Sequence, residues 1–474
     1  MTTTYDEVAY RSLAFPQTSP DVLATQAALF GLPYAPIDTC RLLDIGGGDG
    51  MNAIAMAVAH PRAHFVSFDL SQVAVARGQE VIAELGLTNI DLSVGDITQV
   101  DFSAEPFDYV VAHGIYSWIP DFVRDAMMGL IKRSLKPNGL AFVSYNALPG
   151  CRMRQMIRDI LVYQVRDIEG GYARLEAARR YLQHIIDDYP QTDPLQAAFK
   201  TEALGMLQRP DWLIAHDELG PVYHPVALHE FEAHARAHGL KFLTEAEQRR
   251  AGEGFLPPRF INEPDLDIIA HCQEMDFRMQ RPFRQSLVVH AETGVDRRPY
   301  PTRLLNLHVS TPATRNERGT FSIDVTDFEI RDHVLDQMVE RLSAVWPATI
   351  PVADLVTDEQ RLGALLKMFW VGTLELHVAP TPYPTTVSAR PAASPLARRQ
   401  ARLGEDRMIA INLEIVETPG GFSRDFIAAL DGSRDHEELA RDAAATLGVP
   451  VDDSLRRQLA TNLAALARMP LLVA

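Results

Sequence analysis

Three carboxylates fall at the tips of apolar runs: Asp44 closes RLLD, Asp69 closes HFVSFD, and Asp96 follows IDLSVG. Acidic groups at the carboxyl ends of successive strands face the crevice where open α/β sheets bind ligands. They suit a cation, a vicinal diol or an amine. Between Asp44 and the next helical pattern lies IGGGDG, with glycines at Gly46, Gly47, Gly48 and Gly50. Such a run lets the backbone turn sharply and lets a ligand approach where no Cβ stands in the way. Gly48, Gly50 and Ala53 also satisfy G-x-G-x-x-A, the dinucleotide fingerprint. A pyrophosphate, however, requires a helix N-terminus free of negative charge. Here Asp44 flanks the loop and Asp49 sits inside it, so the spacing favours a positively charged ligand.

The elements that must position these acids alternate strand and helix. Residues 42–45 read as a buried strand and 52–59 as the helix packed back on it. A second strand, 64–69, puts Asp69 nineteen residues beyond Gly50, where an acidic tip can bond both hydroxyls of a ribose. Ser71 caps a helix over 73–84 that stops at Gly86. IDLSV, FDYVVA and GLAFVSYN supply three more strands, with a helix over 121–135 and a turn at Lys136-Pro137-Asn138-Gly139. This order specifies an α/β, Rossmann-like, doubly wound sheet. Two later segments complete it, 240–246 after a helix over 228–238 and 283–291, so the domain is discontinuous. Amphipathic helices over 153–168, 172–188 and 194–207 form a helical insertion suited to a lid or a dimerisation arm. A less regular insert spans 248–279. LLNLHVS and FSIDVTDFEI alternate like strands, and helices over 332–345 and 358–370 precede the strand LELHVA, an α+β winged-helix-like order. The expected division is 1–150 ligand-binding core, 151–220 insertion, 221–292 remainder of the sheet, 293–379 winged-helix-like domain, 380–404 exposed linker and 405–474 small terminal module.

With 474 residues, 47% of them hydrophobic and 23% charged, the chain has the composition of an ordinary globular protein with several cores. A formal charge of −17 argues against nucleic acid as a partner and favours a basic protein or an amine. No apolar run reaches the ~18 residues that span a bilayer, and MTTTYDEVAY is no signal peptide, so a cytoplasmic location with no membrane insertion is expected. Cys40, Cys151 and Cys272 lack metal-ligand spacing. His229-Glu230 followed by His234 misses the H-E-x-x-H spacing by one residue, and His234 with His238 lacks a third ligand in the local sequence, so no metal is expected.

The D-x-G-x-G-x-G run from Asp44 resembles motif I of class I S-adenosylmethionine (AdoMet) methyltransferases. Further segments match: YDEVAY at Tyr5, FPQTSP around Gln17, HGIYSWIP over 113–120, SYNALPG over 144–150, HDELGPVYHPVALHEF over 216–231 and RPFRQSL over 281–287. Together they are similar to bacterial methyltransferases that carry a methyltransferase regulatory domain, a group that includes rickettsial protein lysine methyltransferases. The resemblance implies a seven-stranded sheet, AdoMet as cofactor, a protein or peptide substrate and a homodimer. It assigns Asp44 and Gly46 to Gly50 to the methionine moiety, Asp69 with Leu70 to the ribose, Asp96 with Ile97 to the adenine, and His113 to the far side of the cofactor. Cys151 stands where the family pattern leads one to expect a bulky aromatic.

A lysine acceptor must lose its proton before it can attack, because the neutral amine alone has a lone pair, and burial or a neighbouring cation lowers its pKa. Aromatic faces favour a methylated ammonium. Tyr116, Trp118 and Tyr145, just beyond the fourth and fifth strands, are the candidates for that wall; His113 and Tyr116 are the candidates for a catalytic proton acceptor. Two other readings stay open: a small-molecule or peptide O- or N-methyltransferase, and a winged-helix DNA-binding regulator retaining an AdoMet fold. Against the second, the helix over 358–370 carries only Arg361 and Lys367 against Asp358 and Glu359.

Overall fold

The computed structural model describes residues 8, 10, 13–190, 193–246, 267–298, 300–323, 326–381, 383–384, 386–417 and 424–473. Tyr5 and the segment 248–266 of the second insert lie outside them. Strands β1 (Arg41–Ile45), β2 (His64–Asp69), β3 (Ile90–Val94), β4 (Phe107–Ala112), β5 (Leu135–Asn146), β6 (Leu240–Glu245) and β7 (Phe283–His290) form one sheet. Their spatial order is β3-β2-β1-β4-β5-β7-β6. β1 pairs in parallel with β2 and β4, and β7 runs antiparallel between β5 and β6. Strand order therefore reverses between β1 and β4, the switch point at which open sheets leave a ligand crevice. Asp44 and His113 stand at the two lips of that crevice.

The interior explains why these runs became strands. Leu42, Leu43, Ile45, Val110, Val111, Phe142 and Val143 are essentially inaccessible, as expected for central parallel strands covered on both faces. The Met51–Ala59 and Gln72–Leu85 helices cover the β1–β3 half. Ser71 accepts the cap bond from Ala74 N–H, and Gly86 ends the second helix at φ 64°. The expected turn at 136–139 is absorbed into β5: β4 pairs Phe107 with Leu135 and Tyr109 with Leu140, so the four intervening residues loop out of the ladder.

The returning half of the sheet rests on a buried ionic cluster. Arg284 of β7 is inaccessible and bonds Glu245 of β6 at 2.6 Å and Asp276 of the Ile268–Met279 helix at 2.8 Å. Arg281 adds a second contact to Asp276, and Ser286 Oγ and Gln285 N–H donate to Glu245. Every charge is matched, which is the condition under which burying charge is tolerable.

The insertion forms the helices Arg152–Gln164, Gly171–Asp188 and Pro194–Leu207, with a core of their own around Ile157, Leu161, Leu182, Ile185 and Met206. Beyond β7 the expected strand LLNLHVS is a 3-10 turn, Pro301–Asn306, that leaves only His308–Ser310 as strand. FSIDVTDFEI is likewise two short antiparallel strands, Phe321–Ile323 and Thr326–Phe328. Alternation could not distinguish one long strand from two short ones. The helices His333–Val345 and Glu359–Trp370 follow as expected, with Glu375–His377 pairing back onto His308–Ser310. The exposed linker expected over 380–404 is corrected: its second half is the helix Pro395–Arg402, which buries Leu396, Ala397 and Ala401. Arg399 and Arg402 of this helix both pair with Glu84. Pro and Arg suggested exposure, yet the alanines and Leu396 between them form an apolar face.

Removing Arg284 would leave buried Glu245 without a cation and Asp276 with Arg281 alone. Arg284→Ala is expected to lower the free energy of urea unfolding by about 3–5 kcal/mol, whereas Arg402→Ala at the solvent-facing Glu84 pair should cost under about 1 kcal/mol.

Candidate cofactor and acceptor site

The loop after β1 turns through three left-handed glycines, Gly46 (φ 66°), Gly48 (φ 62°) and Gly50 (φ 74°), conformations that L side chains avoid. Gly46 and Gly47 N–H both donate to Phe68 O at the end of β2, which pins the loop over the crevice. Gly47 has no such backbone excuse; its constraint is space. A Cβ there would come within 2.2 Å of Ser67 Oγ and 2.5 Å of Asp44 Oδ2. The opposite lip closes against the same loop, since a Cβ at Gly46 would meet Ile115 Cδ1 at 2.4 Å.

Asp44 is buried under this loop, and Ser67 Oγ at 3.3 Å is its one hydrogen-bond partner among the described residues. Burial pushes its carboxyl up to about 7, a rise that Ser67 opposes and Asp69 reinforces. Asp69 is committed differently: Oδ2 accepts from Gly48 N–H at 2.9 Å and Oδ1 from Ser71 N–H at 2.8 Å. Both carboxylate oxygens thus fix the loop, and the group stands at the strand end where a ribose diol would bond. Asp96 accepts from Thr98 N–H and Oγ1 through Oδ1, leaving Oδ2 without a hydrogen-bond partner among the described residues. Leu70 is 64% and Val94 52% exposed beside these acids, large apolar side chains without cover. Ile97 is buried beneath. An acidic row with an apolar shelf suits a cationic nucleoside and offers nothing to a phosphate. By charge, diol capacity and shelf, these residues fit AdoMet.

His113 is half-buried and stacked between Phe15, with ring centroids 3.9 Å apart, and Phe142 at 5.7 Å. Burial lowers its pKa to about 4, so at neutral pH the ring is uncharged and a weak base. Phe15 belongs to the N-terminal segment, whose backbone N–H and Thr18 hydroxyl bond Asn52 at the start of the helix after the glycine loop. Gln17 lies in the same 3-10 turn, Pro16–Thr18, partly buried. Phe15, Asn52, Ser67 and Ile115 thus surround the same crevice; Phe15 and Ile115 lie within the family-like segments FPQTSP and HGIYSWIP, but none of the four is singled out by its own chemistry, because each acts only through a tertiary contact.

The segment after β4 is stitched to the end of β5. Gly114 N–H donates to Ser144 Oγ, and Ser117 Oγ accepts from Asn146 N–H. The three aromatic candidates then part company. Tyr116 and Tyr145 are buried together against Phe231, with Tyr145 stacked on it at 4.4 Å. The Tyr145 hydroxyl meets Ser286 and that of Tyr116 meets His234 Nδ1 at 2.8 Å. Both phenols are raised by burial, Tyr116 to about 12, so neither is an anion at neutral pH. Trp118 remains half-buried and pairs with Tyr223 at 5.0 Å. The Arg154 guanidinium lies 5.6 Å and 5.4 Å from those two rings, held by Glu218 and Asp217. Cys151 is buried and its thiol reaches Pro282 O.

A methyltransferase domain model matches residues 42–139, and the model described as "Predicted methyltransferase regulatory domain" matches residues 210–290. The second match covers the Leu228–Ala237 helix, β6 and β7, which complete the sheet. An uncharacterised protein of Rickettsia prowazekii is 34% identical over 62% of this chain and 54% of its own length. The chain therefore spans about half of that relative. A second uncharacterised protein of the same organism is 32% identical over 50% of this chain and 96% of its own length. Among solved structures, PKMT2 from Rickettsia typhi has the same fold, with a TM-score of 0.85 and 23% identity, covering 98% of this chain and 100% of that one. The same protein in complex with AdoHcy gives a TM-score of 0.84.

To pair with the ammonium of a cofactor, as the family resemblance implies, Asp44 would have to shed its proton. Because its carboxyl sits at about 7 in the free protein, affinity for AdoMet is expected to fall about fivefold between pH 7 and pH 6. Calorimetry should show proton release on binding at pH 6.5, absent in Asp44→Asn. Gly47→Ala, which drives a methyl into Asp44 and Ser67, should weaken AdoMet at least about tenfold with an unchanged circular dichroism spectrum.

Proposed function

We propose, from the premise that this chain belongs to the class I AdoMet-dependent methyltransferases carrying a methyltransferase regulatory domain, that its acceptor is an amine of a protein or peptide, with lysine the first choice. The observation carrying the AdoMet side is the acidic row Asp44, Asp69 and Asp96 at successive strand ends beside the exposed Leu70. On the acceptor side, the reading is supported by the Trp118–Tyr223 pair, whose faces already accommodate the Arg154 cation, and by the net charge of −17.

AdoMet, when bound, supplies an electrophilic methyl on a sulfonium. A C–N bond forms as the S–C bond breaks, so the protein's task is to align the reactants and exclude water. Asp44, once ionised, would hold the α-ammonium, Asp69 the ribose hydroxyls and Asp96 Oδ2 the adenine amine. His113, uncharged and clamped between Phe15 and Phe142, steadies the cofactor without adding a positive charge beside the sulfonium. It is a poor proton acceptor at that pKa. The amine instead loses its proton to water as it enters the site, where desolvation lowers its own pKa. Tyr116 and Tyr145 support the wall from behind, and Trp118 presents the face.

Arg361 is tied to Asp332 and Asp358, which leaves little cationic surface on the Glu359–Trp370 helix. We therefore read the module over 293–379 as a protein-docking scaffold, and the helical insertion as the arm of a homodimer. Among the described residues no helix is long and apolar enough to cross a membrane. The three thiols are free and buried, in keeping with the reducing cytoplasm.

Incubation with a cell lysate and methyl-labelled AdoMet should place label on protein lysines by mass spectrometry. Label confined to small molecules would replace the protein acceptor with the small-molecule reading. Asp69→Ala should weaken AdoMet in calorimetry, and equal affinity would remove Asp69 from the site. Light scattering should give twice the 52.7 kDa chain mass.

A further inference from the structure

His234 and His238 lie one helical turn apart at the carboxyl end of the Leu228–Ala237 helix, so their rings share a face. Sequence offered them no third ligand. The fold brings one across from the Asp121–Ser134 helix, 109 positions away: Asp125 Oδ1 is 2.8 Å from His234 Nε2 and 3.5 Å from His238 Nε2. Among the described residues these three are the one group of His, Cys, Asp and Glu side chains whose ligand atoms all lie within 4.8 Å of one another. The two rings stand at 84° with centroids 5.1 Å apart, so their nitrogens converge from different directions. Metal–ligand bonds of about 2.0–2.1 Å in a tetrahedron separate ligand atoms by roughly 3.3 Å, close to the spacings present.

A second feature points the same way. His234 Nδ1, the nitrogen facing away from Asp125, is held by the Tyr116 hydroxyl at 2.8 Å. A metal-bound histidine needs such an outer partner to fix its tautomer and ring orientation. The helix C-terminus adds partial negative charge next to the trio. The cations nearby are each committed to another acid: Arg124, whose guanidinium lies over the Tyr116 ring, to Asp121, Lys132 to Glu292 and Arg133 to Asp101.

We propose that Asp125, His234 and His238 bind a divalent transition-metal ion of the zinc type, with at least one coordination position open to solvent. The half-exposed histidines and exposed Asp125 give it access. With Nε2 on the metal, the His234 proton resides on Nδ1 and is donated to Tyr116, which fixes the phenol behind the acceptor wall. Two histidines and one carboxylate are a weaker set than a closed four-ligand site, so the ion is exchangeable.

The test uses the full chain, freed of tags and stripped with a chelator, dialysed against Zn²⁺ at pH 7.5, with Co²⁺ absorbance as a second probe. One equivalent should bind, and Co²⁺ should give a visible ligand-field band. His238→Ala and Asp125→Asn should each weaken binding at least about tenfold. His229→Ala, whose exposed side chain contacts Gln273 instead, should leave it unchanged. Absence of a bound equivalent in wild type, or equal Zn²⁺ affinity in wild type and His238→Ala with both folded by circular dichroism, would overturn the proposal. These readouts need no methyl transfer, so they stand apart from the fate of the acceptor assignment.

Discussion

A carboxylate sealed beneath a glycine loop is the constraint around which the crevice is arranged. Raising Asp44 from 3.8 to about 7 corresponds to roughly 4 kcal/mol of disfavour for its charged form. In the free protein that penalty is relieved by protonation and by a single long hydrogen bond from Ser67. A lysine or arginine placed nearby would have relieved it permanently and left nothing for a ligand to do. Withholding that cation keeps the attraction available for a mobile one. Gly47 follows from the same constraint, because a carboxylate and a hydroxyl already occupy the volume of its absent side chain.

The far half of the sheet, behind the proposed acceptor wall, rests on the opposite strategy, with charges matched within the fold. Arg284, Glu245 and Asp276 join β7, β6 and the Ile268–Met279 helix, and Glu245 reaches through Ser286 to the hydroxyl of Tyr145. Tyr145 in turn stacks on Phe231 and meets Tyr116. The chain that returns after the long insertions is therefore a fixed rear support for the segment carrying Trp118. This gives the 210–290 region a positional role at the cleft even though the cofactor loops lie elsewhere in sequence.

Legibility followed the range of the interactions. The seven strands, their acidic tips and the Ser71 cap were readable because hydrophobic periodicity and turn chemistry are local. Motif spacing likewise revealed the glycine loop. Local signals failed where two arrangements share one pattern: FSIDVTDFEI alternates equally well as one strand or a hairpin, and the arginines over 390–402 masked a helix whose alanines are buried. The aromatic trio was found by position but could not be sorted by sequence, since only packing shows Tyr116 and Tyr145 behind Trp118. Asp125 beside His234 was beyond reach for the same reason.

The place of Arg154 bears on the proposed amine acceptor. An ammonium laid on an exposed aromatic face gains about 0.5–2 kcal/mol, whereas pulling an arginine off buried carboxylates costs about 3–5 kcal/mol. Glu218 is fully buried and accepts from Arg154 at 2.8 Å, with Arg209 bonded to the same carboxylate. Displacement is thus unfavourable, and Arg154 stays as a fixed part of the wall. Its charge is already matched by Glu218 and Asp217, so it orders the two rings without adding an uncompensated charge to the wall. The guanidinium thus holds Trp118 and Tyr223 in place from the protein side, and the face presented by Trp118 is set by the fold rather than by a ligand.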